Sequence, residues 1–402
     1  MPSQKRPSAS AKVASLPEDT LANIHGRLSL LDRLAFAAVF RTSRDAFKPE
    51  MPCLVLPGNA PGTATLFSLA ERCAAAVRSP GLGHSILGSS CCGWLITSDD
   101  RARLCLVNPV TGERRVLPAI DTIPCLDAHC GRSYFTFHKM WFLRGPPPYP
   151  YGTMTFRAED MRHSLYRKVL LSDSATIAML ITGPDYGVAA FAMAGGGVWR
   201  LALPHDGVEP VATAEAGTWR LRHWRNAIED AIHHDGRFYS ITYSGQVEAW
   251  EEHDGDAPGV FASVVMAPRL VLPSDSDHRK YLMAALGGRL MVVLKETTGG
   301  RTSPSFKVQV LDSGGEEWKV TDDIGEAALF VGENSSLCVS TRKHPELKAG
   351  CVYYTEDDQD ARDGYYNGVG VFSLKDGSWE KVEGLERHER LPWPTWFTPS
   401  IP

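Results

Sequence analysis

Apolar positions along this chain follow two different periods. Between residues 16 and 40, LPEDTLANIHGRLSLLDRLAFAAVF places Leu21, Ile24 and Leu28 three and four residues apart, the spacing of one helix face. Ser15 followed by Glu18 reads as a capping box, Pro17 falls in the first turn where its missing N–H costs nothing, and Asp19 adds charge suited to a helix N-terminus. Ser29 with Asp32 repeats the capping pattern and predicts a second helix presenting Leu31, Leu34, Ala38 and Val39. A third short helix is expected from about Ser43 to Phe47, before Pro49 and Pro52 end helical structure. Residues 1–14 are small, polar and basic, too poor in apolar side chains to offset chain entropy, and predict a disordered tail.

From about residue 84 the period becomes two, in short runs bounded by Gly, Asp, Asn and Pro. HSILGSSCCGWLITSDDRARLCLVNPVTGERRVLP, residues 84–118, divides into four strands separated by SDD and NPVTG turns. The rhythm returns from Ile177 in IAMLITGPDYGVAAFAMAGGGVWRLALP and from Glu229 in EDAIHHDGRFYSITYSGQVEAWEEHDG. Two further units run from YLMAALGGRL to EEWKV and from EAALFVGENSS to GVFSLKDGSWEKV, with a weaker one across SYFTFHKMWFL and LYRKVLLS. Four-stranded units recurring every 40 to 60 residues or so predict a β-propeller of six or seven blades, whereas a sandwich or barrel needs fewer strands. The expected organisation is a tail over 1–14, a small all-helical unit over 15–49, a linker and propeller entry over 50–83, and the propeller over 84–402. PPPYPYG at 146–152 is expected to be an inter-strand loop.

Composition narrows the function classes. A net charge of -5 with Lys and Arg scattered along the chain gives no basic stripe for nucleic acid. Nine cysteines without regular spacing fit a reduced compartment, and neither a secretory h-region nor a membrane-length apolar run is present. Cytoplasm or nucleus is the expected location, and no membrane partner is expected.

The residues also resemble a known family. Residues 16–44 resemble the F-box, which opens on Leu-Pro and places apolar residues where Leu21, Ile24, Leu28 and Leu34 stand. The remainder resembles the KIB-type propeller attached to F-boxes in a plant family, formerly a domain of unknown function. GWLITSDD, LVNPVTGERRVLP, EDAIHHDGRFYSITYSGQVEAW, ALFVGENSS, GCVYYTEDD and WPTWFTPS carry that likeness in the expected order. The resemblance implies a substrate receptor of a Skp-cullin-F-box ubiquitin ligase, in which the F-box docks the Skp adaptor and the propeller holds a client protein. Leu16, Pro17, Leu21, Ile24, Leu28, Leu31, Leu34 and Val39 would then supply the docking face or the small core behind it. So small a helical unit cannot bury all these side chains by itself, so a partner surface or the chain's own propeller must cover them. The F-box pattern ends near Val-Cys-x-x-Trp-Arg, but this chain has Phe40 and Ser43 where Cys and Trp are usual. Unless Phe40 or Phe47 fills the space of the tryptophan, the unit is a weakened F-box, leaving a propeller that binds its client outside a ligase.

Propellers also carry hydrolases and lyases, which need a catalytic constellation. GSSCCG at 88–93 lacks the second Gly of a nucleophile elbow, and GGG at 195–197 lacks the Lys-Ser/Thr of a phosphate loop. His233-His234-Asp235 pairs a base with an acid but precedes Gly236 at an expected hairpin turn, with no nucleophile identifiable. TEDDQDARDG at 355–364 places Arg362 where a calcium loop needs an oxygen ligand, and no C-x-x-C pair suggests zinc. The expectation is a non-catalytic chain without cofactor or metal. Trp94, Trp199, Trp250, Trp318 and Trp379 are expected mostly in the core.

Overall fold

A computed structural model describes residues 16–57, 62–78, 85–90, 93–138, 153–183, 189–193, 195–202, 227–253, 259–272, 278–296, 304–334, 336–355, 368–382, 385 and 394–400. Ser15, Cys91, Cys92, the segment 146–152 and most of 355–364 lie outside the described residues. A small helical unit precedes an all-β propeller. Helix α1 spans Glu18–His25 and α2 spans Leu30–Val39, followed by a 3-10 turn over Arg41–Ala46. Pro17 is the residue before α1 and lies outside its first turn, with backbone φ -57 and ψ 147. Ser29 does precede α2, but its hydroxyl donates to the Asp32 carboxylate at 2.6 Å, so the pair braces itself and leaves the backbone N–H groups uncapped.

Among the described residues, seven sheets follow. The first blade contains Cys53–Pro57, Thr63–Ser68 and Cys73–Arg78, completed by Thr395–Phe397 from the far end of the chain. Cys53, Leu54 and Val55 pair antiparallel with Phe397, Trp396 and Thr395, closing the ring. Residues 53–78, expected as linker and entry, are therefore a blade, and the propeller begins at Cys53 rather than at residue 84. Its signal is weak because CLVLP is an unbroken apolar run ending in Pro, while CAAAVR is rich in a helix former. The second blade, Ser85–Ser89 to Arg114–Val116, has the four strands expected.

The sheet after it is different in kind. Leu126–His129, Tyr134–His138 and Thr153–Arg157 form a three-stranded sheet, and the ring bypasses it. A Cβ on Gly88, in the innermost strand of blade two, would strike the Val169 carbonyl, so that strand adjoins Tyr166–Leu171, which opens blade three. Tyr134–His138 of the first run and Tyr166–Leu171 of the second thus belong to two separate sheets, not to one weak unit, and KMWFL lies outside the described residues. The inserted sheet packs Leu126, Phe135 and Phe137 into the core shared by blades two and three. Blade three ends at Arg200–Leu201, blade four runs from Ile228–His234 to Phe261–Ala267, and blade five from His278–Ala284 to Trp318–Thr321. In blade six Ala327–Val331 turns back to Leu337–Ser340, then lies parallel to Cys351–Thr355, ahead of Val369–Ser373 and Trp379–Lys381.

Six blades require six inter-blade cores in a closed ring, and six apolar clusters are found among the described residues. Blades four and five share Ile232 and Ile241 with Leu282 and Val292, and blades five and six share Tyr281 and Met283 with Ala327 and Leu329. Blades six and one share Phe330 and Tyr353 with Leu54, Phe67 and Trp396. Because both faces of each blade are covered, strands such as AALFV are buried throughout, which mutes the period-two signal. Trp94, Trp199, Trp250 and Trp318 are buried, and Trp379 is half-buried. The indole N–H of Trp199 donates to Pro118 O, that of Trp318 to Pro268 O, and that of Trp396 to Val331 O, which satisfies each polar edge inside the core.

Candidate functional site

The helical unit has two sides. On the inner side, Leu30 and Leu34 of α2 enter one cluster with Cys53, Val55 and Leu66 of blade one, Leu95 and Val107 of blade two, and Phe397 of the closing strand. Leu31 packs against the same cluster. The expected docking residues therefore divide. Leu21 and Leu34 are buried, Leu16, Ile24, Leu28 and Leu31 are half-buried, Pro17 is exposed, and Val39 is 72% exposed. Leu34 belongs to the seat on the propeller, which removes it from any outward face.

Arg33 fixes that seat. Its guanidinium donates to both Glu50 oxygens, Nε to Oε1 at 2.8 Å and Nη2 to Oε2 at 2.9 Å. Its Nη1 donates to Leu28 O at 2.7 Å and to Glu71 Oε1, in the first blade's outer turn, at 2.9 Å. One planar fork thus joins α2, the chain leaving the helical unit, and blade one. Arg33 has no local sequence signature, because both acidic partners lie on other elements.

An aromatic cluster occupies the unit's interior. His25 is buried and stacks on Phe47 with ring centroids 4.6 Å apart, while Phe36 lies 4.4 Å from Phe40 and 5.7 Å from Phe47. Phe47, itself buried, thus packs inside a unit that lacks the F-box tryptophan. Burial pushes the His25 pKa below the ordinary histidine value; Glu50, 3.8 Å away, opposes this, and Arg33 adds to it. Since the unfolded state then takes up a proton first as pH falls, the contribution of His25 to stability is present above about pH 6.5 and is lost on further acidification. Amide exchange of Glu18–His25, corrected for intrinsic rates, should be faster at pH 5.5 than at pH 7.5, and His25→Gln should remove most of the difference. A difference unchanged in the variant would show that another group is responsible.

The second polar constellation lies at the propeller axis. Arg167 and Lys168 begin the innermost strand of blade three, Glu229 and Asp230 that of blade four, and Arg279 and Lys280 that of blade five. Lys168 Nζ donates to Asp230 Oδ1 at 2.5 Å, and Asp230 Oδ2 accepts from Leu282 N–H at 2.8 Å and Ser336 Oγ at 3.2 Å. Glu229 accepts from Lys280 Nζ at 2.8 Å and Lys280 N–H at 2.9 Å, and Arg279 Nη1 lies 3.2 Å from its Oε1. Asn334 Nδ2 donates to Ile86 O at 2.8 Å, reaching from blade six to blade two. Burial pushes the Lys168 pKa down; Asp230 opposes this, and Arg279 and Arg167 add to the depression.

The other motifs disperse. His233 Nδ1 lies 3.1 Å from Asp173, whereas His234 Nε2 bonds Gly288 O at 3.1 Å and Asp235 sits in the hairpin turn with φ 48. Neighbouring in sequence, the two histidines serve different contacts. GGG at 195–197 forms the turn between Ala189–Met193 and Arg200–Leu201, with Gly195 at φ 72. Among the described residues, no group of three His, Cys, Asp or Glu side chains is arranged to hold a metal, and no helix is long and apolar enough to cross a membrane.

Residues 66–373, from within blade one to blade six, match the family described as KIB1-4 beta-propeller. The chain belongs to this family. Helices α1 and α2 lie ahead of the matched segment. Over 200 residues, 43% of the chain, it is 26% identical to F-box protein At2g17036 of Arabidopsis thaliana, and the match spans 45% of that relative's length. Among solved structures it is similar to the Myceliophteria thermophila Cps50 (Swd1) beta-propeller domain, with TM-score 0.32 and 10% identity over 81% of this chain and 91% of that one. It is also similar to a putative 6-phosphogluconolactonase of Bacteroides fragilis, with TM-score 0.36 and 12% identity over 84% and 94%. At those values neither bears on function. The family and the F-box relative agree with the resemblance drawn from the residues.

Proposed function

We propose that this chain is the substrate-recognition subunit of a Skp-cullin-F-box ubiquitin ligase, non-catalytic in itself and working in the cytoplasm or nucleus. The helical unit docks the Skp adaptor, and through it cullin, while the propeller binds the client protein to be ubiquitinated. The observation that carries the reading is the two-sided helical unit. Its inner side is occupied by blades one and two, while Pro17 and Val39 stand exposed and Leu16, Ile24 and Leu28 stay half-exposed, ahead of a propeller whose relative is named for its F-box. Burying such side chains against a partner contributes about 1.5–3 kcal/mol for each one fully covered.

A second reading, a propeller module acting outside a ligase, is favoured by Phe40 and Ser43 in place of the usual Cys and Trp. Co-purification of the full chain with a plant Skp adaptor and cullin separates the two. The first reading expects a ternary complex that is lost in a Leu16→Ala/Pro17→Ala/Ile24→Ala variant retaining the wild-type melting profile. A folded chain that captures neither subunit would establish the second.

A further inference from the structure

The arginine-lysine pairs at the propeller axis are alike in sequence but not in their surroundings. YRKVLL and HRKYLM open the innermost strands of blades three and five, with IEDAIHH opening the strand between them. Lys168, near the start of one inner strand, bonds Asp230, near the start of the next, and Asp230 and Glu229 bond Leu282 and Lys280 near the start of the third, so these ends lie side by side at one mouth of the channel. Among the described residues, the starts of these three strands carry four cationic side chains, Arg167, Lys168, Arg279 and Lys280, and two carboxylates, Glu229 and Asp230. Asp230 serves Lys168, while Glu229 serves both Lys280 and Arg279.

Arg167 is left over. It is half-buried, its Nε is buried with no hydrogen-bond partner, and among the described residues its guanidinium forms no ion pair. On its other side the inner strand of blade two reads SILGS and brings no carboxylate. Arg167 also stands at a register shift: Tyr166 pairs with Thr182 and Lys168 with Ile181, so it is the extra residue of a bulge on a strand with no inner neighbour. Glu229 occupies the corresponding bulge in blade four. A guanidinium always carries its charge, and its donors form a fork matched to tetrahedral and planar oxyanions. Arg167 is half-buried with its Nε unpartnered among the described residues, and its charge and that of Arg279 both act on Lys168, so the cluster is suited to an oxyanion.

We propose that this mouth of the channel binds a phosphate-type oxyanion, with Arg167 as its principal ligand, Arg279 beside it and the Lys168 and Lys280 charges behind. The proposal rests on the receptor reading only in taking the phosphate to be carried by a segment of the client; the site itself needs no adaptor. The test is calorimetric titration of the full chain, alone and at low ionic strength, with inorganic phosphate, with the peptide Gly-Ala-phosphoserine-Ala-Gly, and with its unphosphorylated form. Saturable binding of phosphate and phosphopeptide is expected, with none of the unphosphorylated peptide. Tighter binding of the phosphopeptide identifies a protein-borne group, and tighter binding of inorganic phosphate identifies the free ion. Arg167→Ala should weaken either by about tenfold or more. Arg167→Lys, which keeps charge but loses the fork, should fall between, and Lys375→Ala, on an exposed turn of blade six, should bind as wild type does. Because Arg167 has no ion-pair partner to abandon among the described residues, its variants should melt with the wild type. Absence of saturable binding, or equal binding by wild type and both Arg167 variants, meaning an adventitious ion only, would overturn the proposal. Adaptor capture is measured separately, so each reading can fail alone.

Discussion

Replacing Asp230 with alanine should destabilise the chain by about 3–5 kcal/mol, read as a lower urea midpoint at unchanged slope. Asp230 is 1% exposed, and its two oxygens hold blades three, five and six to blade four through Lys168, Leu282 and Ser336. Its loss leaves an ammonium and a backbone N–H buried without their acceptor, and the uncompensated charge is the dominant cost. Lys168→Met added to Asp230→Ala removes that charge, so the double variant should recover much of the loss. The penalty also depends on pH. Burial already depresses the Lys168 pKa with Asp230 in place, and without Asp230 the depression deepens. The unfolded chain then binds the proton more readily than the folded one, so stability rises with pH and the Asp230→Ala defect should shrink as pH climbs toward the ordinary lysine value. A defect that is the same at pH 7 and pH 10, and that Lys168→Met does not relieve, would show that the pair is not what joins these blades.

Leu34→Ala should cost about 2–5 kcal/mol, and the loss should appear in the propeller's own unfolding transition. Leu34 is 3% exposed and shares its cluster with both blade one and the closing strand, so a cavity there weakens the place where the ring is joined. Val39→Ala, at an exposed position on the same helix, should stay within about 0.5 kcal/mol of wild type. Were the helical unit an independent appendage, Leu34→Ala would loosen α1 and α2 and leave the propeller transition where it was. Tryptophan fluorescence, dominated by the blades, distinguishes the two outcomes.

What the sequence makes legible follows the range of the interactions involved. The second blade reads correctly as four strands because the turns between them are written locally, in SDD and NPVTG, and the two helices are legible because their apolar spacing is local, although the expected side-chain caps do not form in α2. The first blade escapes notice because Cys53–Pro57 is stabilised by Thr395–Phe397, a partner more than three hundred residues away, and because Ala-rich CAAAVR becomes a strand only through that sheet. The inserted three-stranded sheet is hidden for a related reason. Its strands alternate like any others, and nothing in SYFTFH says that the strand before it and the strand after it meet each other instead. The parallel step in blade six likewise depends on Ala327–Val331 being shared between a hairpin and a crossover.

The site residues show the same limit. The F-box resemblance groups Leu21, Ile24, Leu28 and Leu34 as one set, yet burial divides them: Leu21 and Leu34 are buried, Leu34 against the propeller, while Ile24 and Leu28 are half-buried. Arg33, Asp230 and Arg167 carry no local signature of their roles. A usable signal exists all the same: charged pairs opening strands that are otherwise apolar, RK in YRKVLL and HRKYLM and ED in IEDAIHH, where burying charge is costly unless complementary pairs meet.

The most direct test of the central claim, that the helical unit presents an adaptor-binding side outward while its inner side is fixed to the propeller, is the affinity of a purified plant Skp adaptor for three chains. These are the wild type, an Ile24→Glu/Val39→Glu variant altered on the outer side, and Leu34→Ala altered on the inner side. The account predicts binding by the wild type, loss of about a hundredfold or more in the outer variant at unchanged stability, and near-normal affinity in Leu34→Ala at temperatures where it remains folded. Equal affinity of wild type and the outer variant, or no binding by the folded wild type, would contradict it.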